Sequence, residues 1–145
     1  MELTTLDKIT RDGQKIPSRV LYLLKQPLVE ALIDWRDNGE NQEDGTLSAK
    51  TIAFSDDYKS LSVVSASHDE QLNIEAWGAL WLELIEKMPH LKYVKNLAMQ
   101  CFNNEVTSLE DLHLRLERIV SKSIYKMLLV IITMGLAVMA AIHYL

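Results

Sequence analysis

The chain has 145 residues, a formal net charge of −5, one cysteine and five glycines. That length holds one small domain with a single core, and one cysteine excludes an intrachain disulfide and agrees with a reducing compartment. Residues 1 to 111 carry nineteen of the twenty acidic side chains and eleven of the fifteen basic ones, a balance of −8; such a surface repels phosphate backbones and disfavours nucleic acid as a partner.

Residues 1 to 16 are mixed and polar, and Gly13 would interrupt a helix, so a short helical turn or a loose arm is expected there. The opening MELTTLDKIT is polar and acidic from its second residue and does not read as a secretory signal. From Pro17 the pattern changes. Leu21, Leu24, Leu28, Leu32 and Trp35 recur at three- and four-residue intervals and predict an amphipathic helix. Pro27 lies inside it, removes a backbone donor and crowds the preceding turn, which predicts a kink or two abutting helices near Lys25 and Gln26.

The run DNGENQEDG, Asp37 to Gly45, has no apolar residue and reads as an exposed acidic loop; it lacks the ligand spacing of a calcium-binding EF-hand. Thr46 to Phe54 and Lys59 to Ser67 are rich in Ser, Thr, Val, Ile and Phe, and Ser55 to Tyr58 separates them. Ile52 and Phe54 share one face of the first run, Leu61 and Val63 one face of the second. The pair predicts a β-hairpin over about residues 46 to 67, and a lone ribbon is marginal in water, so it should lie on the helices or pair with another chain.

Ser67 to Glu70 has the S-x-x-E form of a capping box. Behind it Leu72, Ala76, Trp77, Leu80, Trp81, Leu84, Ile85 and Met88 predict a strong helix that stops at Pro89. A further helix carrying Leu91, Val94, Leu97, Ala98, Cys101 and Phe102 follows almost without a linker, which predicts a tight antiparallel helical hairpin. Cys101 sits in this apolar pattern as a small core residue. Trp77 and Trp81, one turn apart, read first as core; a partner-binding ridge that includes Leu84 is the alternative, because tryptophan is favoured at interaction hot spots.

Thr107 to Glu110 is a second capping box, T-x-x-E, and opens a helix in which Leu109, Leu112, Leu116 and Ile119 alternate three and four apart. These leucines offer a seam for the chain's own domain first, and otherwise for a neighbour's equivalent helix. No glycine or proline interrupts before Met127 to Leu145, a run of nineteen residues without Asp, Glu, Lys, Arg, Asn, Gln or Pro. At about 1.5 Å per residue that run reaches roughly 28 Å, close to a bilayer's hydrocarbon thickness of about 30 Å. It predicts one transmembrane helix. Arg115, Arg118, Lys122 and Lys126 form a basic stripe on its approach, and only His143 follows on the far side, so the positive-inside rule places the domain in the cytoplasm. Tyr125 and Tyr144 bracket the span at the two interfaces. Gly135 has no partner glycine four residues on, so the span lacks a strong helix-pairing motif.

His68, His90, His113 and His143 are scattered, no two at the spacing of a helical metal site, and each reads as solvated. No phosphate-binding glycine loop, nucleophile elbow, C-x-x-C or H-E-x-x-H is present, so neither metal nor cofactor is expected and an enzyme is disfavoured. The expected fold class is α+β, mostly helical: a cytosolic acidic domain over residues 1 to 106, a juxtamembrane helix over 107 to 126 and a membrane anchor over 127 to 145. The expected function is that of a tail-anchored, single-pass protein whose domain is an interaction, assembly or regulatory module, with the lipid bilayer and a protein or a second copy of itself as partners. The alternatives are an oligomeric effector that perturbs the bilayer and a membrane-bound enzyme; a pocket of polar groups around His68 or His90 would favour the enzyme.

Overall fold

Pro27 divides the first helical region as its chemistry requires. In the computed structural model, which describes residues 3 to 11, 13 and 15 to 145, β1 (Thr4–Thr5) and α1 (Leu6–Arg11) precede α2 (Ser18–Leu23) and α3 (Gln26–Asn38), the last with its proline in the first turn. Proline is tolerated there because the first amides of a helix have no intrahelical acceptor. Val20, Leu24, Leu28, Val29 and Leu32 from these segments are buried, so one apolar face continues across the break.

The hairpin forms with shorter strands than expected: β2 (Ile52–Phe54) and β3 (Leu61–Val63) pair antiparallel, with Ile52 opposite Val63 and Phe54 opposite Leu61. Its connection closes between Ser55 and Ser60, two residues beyond the predicted four-residue linker, and Tyr58 takes the left-handed conformation at φ 54°. The expected arm over residues 1 to 16 contributes a strand that periodicity missed. Thr4 pairs with Phe54 and Thr5 with Ala53, giving a three-stranded antiparallel sheet of order β1-β2-β3. Two residues are too few to display alternation. Met1, Glu2, Asp12 and Gln14 of that arm lie outside the described residues. With β1 beside it, β2 is an interior strand, which is why Ile52, Ala53 and Phe54 are all buried.

The helical hairpin consists of α4 (Glu70–Lys87), a 3₁₀ helix (Pro89–Val94) and α5 (Lys95–Phe102). Gly78, in the middle of α4, explains their close approach: a β-carbon there would lie 2.5 Å from the Ala98 carbonyl oxygen and 2.9 Å from Cys101 Cβ. Both capping boxes are displaced from the predicted residues. Asp69 caps α4 by accepting from the Gln71 amide at 3.0 Å, which leaves Glu70 for another task. Ser108, not Thr107, caps α6 (Leu109–Tyr144), accepting from the Asp111 amide at 3.0 Å. Buried Asn73 holds the turn before α4 by exchanging two hydrogen bonds of 2.9 Å with the Ser67 backbone.

Candidate membrane anchor and its attachment to the domain

α6 is 36 residues long, about 54 Å at 1.5 Å per residue, and it changes character along its length. Leu109, Leu112 and Leu116 are buried in the domain's core and Ile119 packs partly against it. Every residue from Ser121 onward is exposed. Among the described residues, α6 is the one helix long and apolar enough to cross a membrane. Its exposed portion includes Met127, Leu128, Leu129, Val130, Ile131, Ile132 and Met134, and surface of that kind is not left in water by a chain able to bury it. The sole hydroxyl at mid-span, Thr133, donates to the Leu129 carbonyl at 2.8 Å, the usual way such a group is satisfied without water. Gly135 meets no other part of the chain, and Tyr125 and Tyr144 are exposed at either end of the apolar stretch.

The start of α6 is fastened by ionic contacts from two other helices. Arg36, near the end of α3, donates to Glu110 and, at 2.9 Å each, to Glu70 Oε1 and Asp37 Oδ1. Glu70, freed from capping its own helix, also accepts the Leu109 amide at 2.7 Å and so satisfies a first-turn donor of α6. The Arg36 guanidinium holds the Glu110 carboxyl down at about 2, well below the ordinary carboxylate value. One turn further along, the His113 ring lies 3.3 Å from Glu30. Arg115, first of the predicted basic stripe, is drawn sideways to Asp111 and Gln100 at 3.1 and 3.0 Å, whereas Arg118, Lys122 and Lys126 stay exposed.

Trp77 and Trp81 are fully buried, with ring centroids 5.8 Å apart, and Leu84 is buried beside them. They are core, as the helical spacing suggested first, and do not form a surface ridge. Both indole N–H groups donate to one acceptor, the Leu24 carbonyl, at 3.2 and 3.0 Å. Leu24 is the cap residue of α2, where the break ahead of Pro27 leaves a carbonyl outside any regular helix. Leu112 and Leu116 are likewise core, so the seam on α6 closes on the chain's own domain.

Two cavities add to this picture. One, of about 580 Å³, is lined by Lys15, Ile16, Ser18, Leu21, Lys87 and His90, among others; no hydrogen bond joins these polar side chains to one another among the described residues. A shallower one of about 400 Å³ runs between α4 and the Gly45–Leu47 segment and is lined by Leu47, Leu72, Ala76, Ala79 and Phe102. Leu72 and Phe102 are about half exposed there, at 51% and 55%. His68 is exposed and bonded to the Gln42 carbonyl at 2.7 Å, outside both. Cys101 is buried against α4, and desolvation pushes its thiol up to about 12.

The sequence pattern gives no role to Arg36 or Gly78, and marks Glu70 only as the closing residue of a capping box. Glu70 was legible as a helix-start acid, but its partners lie 34 and 39 residues away. Gly78 carried one local signal, a glycine inside an otherwise strong helix. The chain matches no known family model, and no curated protein or solved structure is significantly similar to it.

Proposed function

We propose that this is a single-pass membrane protein, held by α6 with its domain in the cytoplasm, and that the domain is an interaction or assembly module rather than an enzyme. The observation that carries the reading is the division of α6: eleven residues, Leu109 to Ile119, are stitched into a folded domain, from Ser121 the helix is exposed, and past Lys126 it carries no Asp, Glu, Lys or Arg. A domain confined to a surface gains effective concentration toward partners on that surface without any new contact. The partner surface we favour is the groove at Leu72 and Phe102. Glu75 lines it, and the acidic run Asp37 to Asp44 leads directly into its wall at Gly45. Apolar floor and acidic border together fit an amphipathic segment of a partner protein with basic flanks.

The test is the mass of the intact protein taken from its own membrane in mild detergent, with each co-purifying chain identified, alongside a Leu72→Glu/Phe102→Glu variant. A stoichiometric partner lost in the variant supports the reading. A closed homo-oligomer unaffected by it would replace it with the membrane-perturbing effector and make ion leakage from liposomes the next measurement. Extraction of the wild type by alkaline carbonate would overturn the anchor itself. Orientation has a separate check: Lys122→Glu/Lys126→Glu should scramble topology in a protease-protection assay, and unchanged protection would remove the basis for a cytoplasmic domain.

A second reading, the membrane-bound enzyme, is favoured by one observation, the cavity beside His90 with Ser18, Lys15 and Lys87 in its wall. Native mass spectrometry of the detergent-extracted protein would test it; a small molecule retained by the wild type and lost on His90→Ala is the expected sign.

A further inference from the structure

Three stretches, residues 13 to 29, 87 to 95 and 118 to 145, hold nine of the fifteen Lys and Arg residues and none of the twenty Asp and Glu residues. They are far apart in sequence, and the fold gathers them at one end. Lys25 Nζ lies 5.0 Å from the Tyr93 ring centroid, joining the first stretch to the second. The 580 Å³ cavity, with Lys15 on one wall and Lys87 and His90 on the other, joins them again.

Helix polarity fixes which end this is. Arg36 meets both Glu70 and Glu110, while Glu30 meets His113 and the Leu24 carbonyl meets Trp77 and Trp81. α3 is therefore antiparallel to both α4 and α6, and these two run in the same sense from a shared start at Glu70 and Leu109. α4 covers 18 residues, a descent of about 26 Å. At a crossing angle of about 20 to 50°, the range for packed helices, about 17 to 24 Å of that descent lies along α6. The same distance along α6 from Leu109 reaches Val120 to Tyr125, just short of the apolar run. Lys87, His90, Lys92 and Lys95 thus lie on the side from which the anchor leaves, with Glu83 and Glu86 as the nearest acids on α4. The acidic loop Asp37 to Gly45 lies at the opposite end, beyond Arg36.

We propose that this basic end of the domain docks on anionic lipid headgroups, so that the domain rests against the bilayer and presents its acidic end and the Leu72–Phe102 groove outward. The inference rests on the membrane-anchor reading. Its occupant is specified by charge and by continuity with the anchor. From Ile119, the last α6 residue on the core, to Met127 is about 12 Å, and headgroup regions are about 5 to 7 Å deep, so the basic end stands within one screening length, about 8 Å, of the lipid phosphates. Each basic residue so placed favours the docked state by about fivefold. No glycine or proline lies between Ile119 and Met127 to let the domain swing away.

The experiment uses the full chain in vesicles, with a fluorophore on Tyr93→Cys or, at the far end, on Glu40→Cys; Cys101 is buried and does not compete. Quenching by a headgroup-attached nitroxide lipid is read in phosphatidylcholine alone and with phosphatidylglycerol added. We expect quenching at position 93 to rise about twofold or more with phosphatidylglycerol, to fall back at high salt and in Lys87→Glu/Lys92→Glu/Lys95→Glu, and to stay unchanged at position 40. Quenching at position 93 that ignores lipid charge, in protein that floats with the vesicles, overturns docking and leaves the anchor intact. Failure of the wild type to float overturns both.

Discussion

Glu70 and Leu109 are joined by a hydrogen bond of 2.7 Å from the Leu109 amide to the Glu70 carboxylate. One side chain of α4 thereby does what a cap residue does for α6, and the same oxygen receives Arg36 at 2.9 Å. The helix that leaves the domain starts on a contact with two others, so the direction of the exposed span is set inside the folded core.

That junction should be acid-sensitive. The Glu110 carboxyl is held down at about 2 by Arg36, and a carboxylate depressed in the folded state contributes stability above its unfolded value that is lost as pH falls through the folded one. Hydrogen exchange of the first-turn amides of α6, taken relative to the intrinsic rate at each pH, should therefore accelerate between about pH 4.5 and pH 2. In Arg36→Met the acceleration should already be present at neutral pH; equal protection in both proteins would show that the ionic contacts do not hold the helix start.

The shared Leu24 acceptor makes the two tryptophans interdependent. Trp77→Phe or Trp81→Phe alone leaves the carbonyl one donor, and each should cost about 1 kcal/mol in hydrogen bonding. The double variant strands a buried carbonyl and should cost about 1 to 3 kcal/mol beyond the sum. A denaturation cycle in mild detergent reads this directly. Trp35→Phe is the control, since the buried Trp35 N–H has no partner among the described residues and its removal forfeits no hydrogen bond.

Gly78→Ala should destabilise, although alanine is the better helix former by about 1 kcal/mol. The added β-carbon would meet backbone, the Ala98 carbonyl at 2.5 Å, which cannot rotate aside; a net loss of about 1 to 3 kcal/mol is expected from the forced separation of α4 and α5. An unchanged unfolding midpoint would mean that the helices part without cost.

Cys101 should resist thiol reagents at neutral pH, because burial raises its thiol to about 12 and leaves almost no thiolate. Labelling should appear only on unfolding, or in Gly78→Ala if the helices separate locally. Leu112→Ala/Leu116→Ala should loosen α6 instead, at about 2 to 5 kcal/mol per side chain. Fast wild-type labelling would place the thiol outside the core.

What the sequence determined by itself was local. The break at Pro27, the hairpin with Ile52 and Phe54 on one face, the strong helix behind residue 69 and the uninterrupted run into an apolar span all follow from properties repeated over a few turns or imposed by one ring. Periodicity also marked Trp77, Trp81, Leu112 and Leu116 as one-sided. It could not say that the covering would come from the chain's own helices, because a pattern defines a face and not its occupant. The tertiary structure decided that, and with it the β1 strand, the service of Glu70 to α6, the close approach at Gly78 and the gathering of three basic stretches at one end. Each of these depends on groups tens of residues apart, up to 74 for Arg36 and Glu110, and a contact over such a separation is chosen by packing of the whole core, which no window of sequence contains.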